Sequence, residues 1–122
     1  MPWFKTDDQW HSHPKPRRVS LAAVGLWSLC GSYSMAHKLD GFVPEWFVAG
    51  FAKGRSLAAE LVSVSLWHNA TREGEKGWTF HDWEHYQPTA EEIEAEREAA
   101  RERQRAYRQR RREARKEGAE NA

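Results

Sequence analysis

A run of arginines near the C-terminus carries the strongest chemical signal in the sequence. Residues 101–116 hold nine Lys or Arg residues against two Glu residues. Each guanidinium is permanently charged, and its planar set of donors matches a phosphate group. On a helix these side chains would surround the axis, so we expect phosphate contacts without base reading. The candidate phosphate-binding residues here are Arg101, Arg103, Arg105, Arg108, Arg110, Arg111, Arg112 and Arg115.

A second set of candidate phosphate contacts lies in the middle of the chain. Lys53, Arg55 and Ser56 precede or begin a predicted helix, and Arg72 and Lys76 fall in a predicted hairpin loop. Basic side chains at such positions contact the DNA backbone in many helix-turn-helix proteins. The alternative for the whole basic set is a solvated surface, or one that contacts an acidic protein.

The helix predicted at residues 57–66 is poorly equipped to read bases. Its outward residues would be Ala59, Glu60 and Ser63, which are small or acidic. The Arg, Asn and Gln side chains that make bidentate base contacts are missing from it. We therefore expect binding without strong sequence specificity; the alternative is that this helix only fills the core.

One histidine pattern invites a metal site. His81 and His85 match the H-x-x-E-H signature of one metallopeptidase class, whose chemistry needs both histidines on one helical face. The segment follows a predicted strand and reaches Pro88 three residues after the second histidine, which leaves no room for that helix. His11 and His13 lie in a loop without a carboxylate partner set. No metal is expected.

The sequence offers no other catalytic grouping. Cys30 is the single cysteine, so an internal disulfide and a cysteine-rich zinc site are both excluded. It falls on a predicted buried helix and is most simply a small core residue. A Gly-rich phosphate loop and a Ser/His/Asp set are also missing. We expect a protein that is not an enzyme and takes no cofactor.

The elements that must position these residues divide the chain in two. Residues 1–87 carry nine basic and nine acidic residues and all seven Trp, whereas residues 88–122 are charged and almost without large apolar side chains. The first part is predicted to begin with a helix at 17–36, a strand at 42–43 and a helix at 44–51. A helix at 57–66 follows, with Ser56 as its N-cap. Strands at 67–70 and 77–82 then enclose a loop at 71–76. This order predicts an α+β fold, mainly α: a winged helix-turn-helix.

Apolar periodicity and the tryptophans predict the core. Leu21, Val24 and Trp27 widen the apolar stripe of the first helix, so that helix is expected to be well buried. Trp27, Trp46 and Trp67 are predicted to face the core. The other tryptophans are expected to fix an N-terminal strand or arm and the hairpin onto the helices: Trp3, Trp10, Trp78 and Trp83.

The C-terminal segment 88–122 predicts one long helix. Thr89 and Glu92 form a capping box, and strong helix formers follow to about residue 116, with partial disorder at the end. Glu-to-Arg pairs at i,i+3 are expected to support it: Glu94–Arg97, Glu98–Arg101 and Glu102–Arg105. A seven-residue spacing that includes Ile93 and Tyr107 hints at a coiled coil, but the partner heptad positions are charged, which favours a solvated single helix.

Three short segments resemble a known family. They are residues 3–5, residues 41–44 and, above all, the segment Phe-His-Asp-Trp-Glu-His-Tyr-Gln-Pro-Thr at 80–89. These resemble the N-terminal winged-helix domain of bacteriophage replisome-organiser or replication-initiation proteins and related DnaD-like helicase loaders. In that family the second hairpin strand leads into an element that corresponds here to Asp82, Trp83, Tyr86 and Gln87. The resemblance implies DNA binding and assembly with a replication protein, without catalysis. The larger members carry a further folded domain, whereas only the charged segment follows here.

These observations predict a phage or prophage DNA-binding protein that acts in replication initiation or regulation, largely through non-specific phosphate contacts. Two alternatives stay open: an adaptor that binds a host or phage protein, and an RNA-binding protein. The first eight residues are too polar for a secretory signal and no apolar run approaches about 20 residues, so the expected location is the bacterial cytoplasm, without a membrane.

Overall fold

A computed structural model describes residues 3–120. Its contacts divide the chain into two units, residues 1–89 and 90–122. Composition had suggested a boundary two residues earlier, between residues 87 and 88. We call the described residues 3–89 the head and residues 90–120 the tail, and describe each by itself. The fold is mixed α+β and mainly helical.

The head contains five α-helices and a three-stranded antiparallel sheet. In chain order, after a 3-10 turn at Trp10–Ser12, the elements are α1 Pro14–Arg17, α2 Leu21–Ala36, β1 Phe42–Pro44, α3 Glu45–Ala49, α4 Gly54–Ser63, β2 Trp67–Arg72, β3 Glu75–Phe80 and α5 Trp83–Tyr86. Residues 3–9 form an ordered arm without strand structure.

Helix α2 begins later than its apolar pattern predicted. Ser20 is extended and its hydroxyl accepts a hydrogen bond from the Ala23 N–H, so the helix starts at Leu21 instead of residue 17. Of the predicted apolar stripe, Ala23, Leu26, Trp27 and Cys30 are buried, Val24 and Tyr33 are half-buried, and Ala22 is exposed. Leu21 does not widen that stripe: it is 88% exposed, because it lies in the first turn, beyond the packed surface.

The sheet places β3 between β1 and β2. The hairpin strands pair from Trp67↔Phe80 to Arg72↔Glu75, so each strand continues two residues into the predicted loop. The turn is only Glu73 and Gly74, both with positive φ (51° and 80°). Such a turn matches the twist of the two strands, and glycine adopts its second position without strain.

Helices α3 and α4 also differ from their predicted bounds. Pro44 belongs to β1 and serves as N-cap of α3, which ends at Ala49. The N-cap of α4 is Lys53, in the left-handed region with φ 56°, so Ser56 lies inside the helix and its predicted capping role is wrong. The chain leaves α4 through Ser65, which also has positive φ.

The core lies between the helices and the sheet. Trp67, Leu61, Val43 and Val48 are fully buried there. Trp46 is 60% exposed, so its predicted core position is wrong: its indole N–H donates instead to the Glu75 carboxylate at 3.1 Å. Burial raises the pKa of the Cys30 thiol to about 12. The thiol is therefore protonated at neutral pH and is not a nucleophile.

The tail is a single helix, α6 Ala90–Glu120, and passes the predicted end near residue 116. Partial disorder was predicted after about residue 116; residues 117–120 are instead helical, and residues 121 and 122 lie outside the described residues. Within residues 3–120, no helix combines the length and apolar character needed to cross a membrane.

Candidate nucleic-acid interface

The arginines in the first half of α6 have acidic partners on the same helix. Arg97, Arg101, Arg103 and Arg105 each lie within 4 Å of a glutamate side chain, including all three predicted i,i+3 pairs. Exposed pairs of this kind contribute about 0.3–0.5 kcal/mol each to a helix. Their larger consequence is electrostatic, since the field of each guanidinium is offset by a neighbouring carboxylate.

The second half of α6 is different. We call residues 106–116 the basic segment: it holds six Lys or Arg residues and one Glu. Among the side chains of residues 3–119, no acidic group pairs with any of these six cations, and the single carboxylate of the segment, that of Glu113, accepts a hydrogen bond from Gln109. The Arg111 guanidinium lies 5.8 Å from the centre of the Tyr107 ring. The segment therefore presents a surplus of five positive charges to solvent.

Four arginines of the basic segment share one helical face. With Gln104 and Tyr107 they line a shallow groove along α6; the four are Arg108, Arg111, Arg112 and Arg115. At 100° per residue they fall within an arc of about 100°, with Arg110 on the opposite side. The arginines are therefore spread around the helix axis less evenly than predicted. We call the four on the shared face, Arg108, Arg111, Arg112 and Arg115, the basic stripe.

The head brings together three of its five predicted contacts. Lys53, Arg55 and Ser56 line one shallow depression at the start of α4. Arg55 forms an ion pair with Glu45 at 3.0 Å, and Glu45 also lines the depression that contains Lys76. A carboxylate therefore adjoins two of the predicted cations and weakens the attraction of this surface for phosphate.

The hairpin contacts are divided between two roles. Arg72 donates a hydrogen bond to the Leu39 carbonyl, which anchors β2 to the loop after α2. Lys76 is exposed on β3, opposite Thr71. Of the two predicted hairpin contacts, Arg72 is therefore held by the fold and Lys76 is accessible.

Glu60 does not face outward from α4, as the sequence predicted. Its carboxylate accepts hydrogen bonds from the Ser20 N–H at 2.8 Å and the Ser20 hydroxyl at 2.9 Å. It therefore caps the N-terminus of α2, where a negative charge is favourable. Sequence patterns gave no signal of this contact, which joins residues forty positions apart.

Removing this capping contact should destabilise the head. We expect Ser20→Ala and Glu60→Ala each to cost about 1–2 kcal/mol, with a coupling of about 0.5 kcal/mol or more in the double variant, because both remove the same hydrogen bonds. Urea unfolding followed by tryptophan fluorescence measures these values. Ser28→Ala, at an exposed site inside α2, is the control and should be neutral or slightly stabilising. Additive effects at Ser20 and Glu60 would contradict the shared cap.

The histidine pattern does not form one helical face. His81 precedes α5 and His85 lies within it. The two ring nitrogens of His81 contact other side chains, Nδ1 with His68 Nε2 at 2.9 Å and Nε2 with the Asp82 carboxylate at 3.1 Å. Within residues 3–120, no group of three His, Cys, Asp or Glu side chains is arranged to hold a metal ion.

Comparisons of the chain with protein-family models, with curated proteins and with solved structures gave no match. The assignment of a function therefore rests on the geometry and charge described above.

Proposed function

We propose that this protein binds nucleic acid, with duplex DNA as its main ligand, through phosphate contacts of the basic segment. One observation carries the proposal: six exposed cations lie within eleven residues of α6 and have no acidic partner among the described residues. A solubilising helix needs no such surplus, because paired charges of both signs suffice, as in the first half of α6.

The expected binding mode is independent of base sequence. Arginines on an exposed helix gain affinity by releasing counterions condensed on DNA, and this gain requires only phosphates. The head adds little to it, since Glu45 adjoins Arg55 and Lys76, while Arg72 is held by Leu39. Lys53 and Lys76 are left as accessory contacts.

We further propose that the head is a winged helix-turn-helix with α4 as the helix presented to DNA and Glu73–Gly74 as the tip of the wing. The element order α2-β1-α3-α4-β2-β3 and the sheet order β1-β3-β2 support this assignment. The exposed residues of α4 include Ser56, Ala59 and Ser63, which favours non-specific docking. A role in phage replication initiation or its regulation, with a replication protein as partner, rests on the resemblance of residues 80–89.

The proposal is tested by the salt dependence of binding. We expect the full chain to bind a duplex of scrambled sequence, with a slope of log K against log salt of about −5 if all six cations of the basic segment each contact one phosphate. Fluorescence anisotropy between about 50 and 200 mM salt measures this slope. A second duplex of unrelated sequence should give the same affinity, and a structured RNA competitor measures the preference for DNA. Lack of binding at about 50 mM salt would contradict the proposal.

A further inference from the structure

The head contains an aromatic cavity beneath its N-terminal arm. Its volume is about 120 Å³. Six of its fourteen lining residues are Phe, Trp or Tyr: Phe4, Trp10, Trp27, Phe80, Trp83 and Tyr86. Lys5, Thr6 and Asp7 at its edge are exposed, so the cavity opens to solvent there. The site lies entirely in the head and is separate from the basic segment.

The arm is held in place, so the cavity has a defined wall. The Gln87 side chain, only 7% exposed, accepts a hydrogen bond from the Lys5 N–H at 2.9 Å and donates one to the Lys5 carbonyl. The Phe4 ring packs edge-on against Trp27 at 5.0 Å and parallel to Trp83 at 5.8 Å. These contacts fix both sides of the arm at the point where it covers the cavity.

The size and lining of the cavity suit one six-membered aromatic ring. An apolar protein cavity of about 150 Å³ binds benzene, and this cavity is slightly smaller but open on one side. Aromatic walls offer both faces and edges to a planar guest, an arrangement worth about 0.5–1.5 kcal/mol per ring pair beyond area burial. A fused double ring would exceed the enclosed space.

The charge at the rim favours an anion. Two cationic side chains, Lys5 and Lys15, line the cavity, and the Lys15 ammonium also donates a hydrogen bond to the Ser65 carbonyl at 3.4 Å. The carboxylate of Asp7 also lines it, and a hydrogen bond from the Gln9 N–H lowers its pKa. That carboxylate is therefore ionised but already engaged in its own turn. His13 and His81 complete the polar rim, so the surplus charge is positive.

We propose that this cavity binds a monocyclic aromatic anion, with the ring among the tryptophans and the anionic group at Lys5 and Lys15. Two sources share this chemistry, namely a free aromatic carboxylate and a pyrimidine nucleotide. The proposal stands independently of phosphate binding by the basic segment, since the two involve different residues in different units.

Indole N–H signals in the NMR spectrum of the full chain test the proposal with benzoate as the probe. Trp83 is a suitable reporter, because its side chain lines the cavity and its buried indole N–H has no acceptor among the described residues. Benzoate should shift the signals of Trp10, Trp27 and Trp83 and leave that of the exposed Trp46 unchanged. Cyclohexanecarboxylate tests the need for an aromatic ring, and benzylammonium tests the sign of the charge. Both should bind at least about fivefold more weakly than benzoate.

One pair of variants tests the binding of the aromatic ring, and a second pair tests the contribution of the lysines at the rim. Thr6→Trp places a ring at the exposed mouth and should abolish the shifts, whereas Thr71→Trp, on an exposed hairpin position outside the cavity, should not. Lys5→Gln with Lys15→Gln should weaken benzoate binding about fivefold and leave benzyl alcohol binding unchanged. Lys53→Gln with Lys76→Gln removes the same charge elsewhere and should have no effect.

The outcomes distinguish the two sources and can overturn the proposal. Tighter binding of uridine monophosphate than of benzoate assigns the site to nucleotides, and the reverse order assigns it to aromatic carboxylates. Shifts that persist in the Thr6→Trp variant, or equal affinity for benzoate and benzylammonium, would overturn it. So would the lack of any shift at roughly 10 mM probe. None of these results depends on whether the chain binds DNA.

Discussion

Replacing Gly54 with alanine is expected to destabilise the head by about 3 kcal/mol, because the added methyl group has no space. Gly54 begins α4 at its closest approach to α3, where a Cβ atom would overlap the carbonyl group of Val48. A backbone carbonyl cannot rotate aside as a side-chain tip can. Val48 is itself fully buried, so relief requires the two helices to separate.

Urea unfolding followed by tryptophan fluorescence measures this effect, since all seven tryptophans lie in the head. Gly25→Ala is the matched control: it lies on the exposed side of α2, and nothing lies within 4 Å of its added Cβ. Because alanine favours a helix interior, this variant should be more stable by about 0.5–1 kcal/mol. Equal midpoints for the two variants would show that the close approach of α3 and α4 is not rigid.

Gly54 also explains why the start of α4 was mispredicted. Local rules favour serine at an N-cap and disfavour glycine inside a helix, which pointed to Ser56. In the structure α4 starts at Gly54, where it packs closely against α3. This contact joins two elements and therefore leaves no signal in the local sequence. The Ser20 hydroxyl does accept a hydrogen bond from the Ala23 N–H as N-cap of α2, but the sequence analysis placed the start of that helix at residue 17. Apolar periodicity therefore indicated both helices but not their first residues, which are set by a side-chain cap in α2 and by packing against α3 in α4.

Core residues were predicted correctly where the apolar periodicity extends over several turns. The prediction was wrong at isolated positions. Helix α2 repeats its apolar spacing over four turns, and its central residues are buried as expected. Trp46 lies in a five-residue helix, too short for a period to indicate a face. Its partner is Glu75, which lies twenty-nine residues away and which no local pattern connects to it.

The hairpin was predicted, but its turn was not. Two-residue turns are signalled most strongly by Asn-Gly or Asp-Gly, and here the turn is Glu73–Gly74. The polar residues beside it were therefore assigned to a loop. The pairing of Arg72 with Glu75 shows that they continue the strands. This extension places Arg72 within reach of Leu39, a contact that the loop assignment did not foresee.

The arginines of α6 stay candidate phosphate contacts, and the sequence predicted only some of the ion pairs that divide them into two groups. Composition identifies the arginines of α6, and the i,i+3 spacing predicts three of their ion pairs, which are confirmed. The pair between Arg103 and Glu96 spans seven residues and was not expected. Together these pairs leave the basic segment as the part with a large unpaired charge. Composition gives the surplus charge of the basic segment, and side-chain geometry shows which arginines in the first half of α6 are ion-paired.

Neutralising the basic stripe is expected to weaken duplex binding roughly a thousandfold at about 0.1 M salt. The variant changes four arginines to glutamine: Arg108, Arg111, Arg112 and Arg115. If each contacts one phosphate, the slope of log K against log salt should become less negative by about 3.6. Glutamine is a good helix former, so α6 should persist, and circular dichroism checks its helix content.

The matched control neutralises the paired half of α6 without changing its net charge. It replaces four ion-paired arginines and their four partners with glutamine: Arg97, Arg101, Arg103, Arg105, Glu94, Glu96, Glu98 and Glu102. We expect the slope of log K against log salt to change by less than about 1. These arginines would have to break their ion pairs with glutamate before they could contact phosphates. A slope change as large as that of the stripe variant would mean that every arginine of α6 contacts DNA and that ion pairing does not select among them. Unchanged affinity in the stripe variant would contradict the proposed role of the basic segment itself.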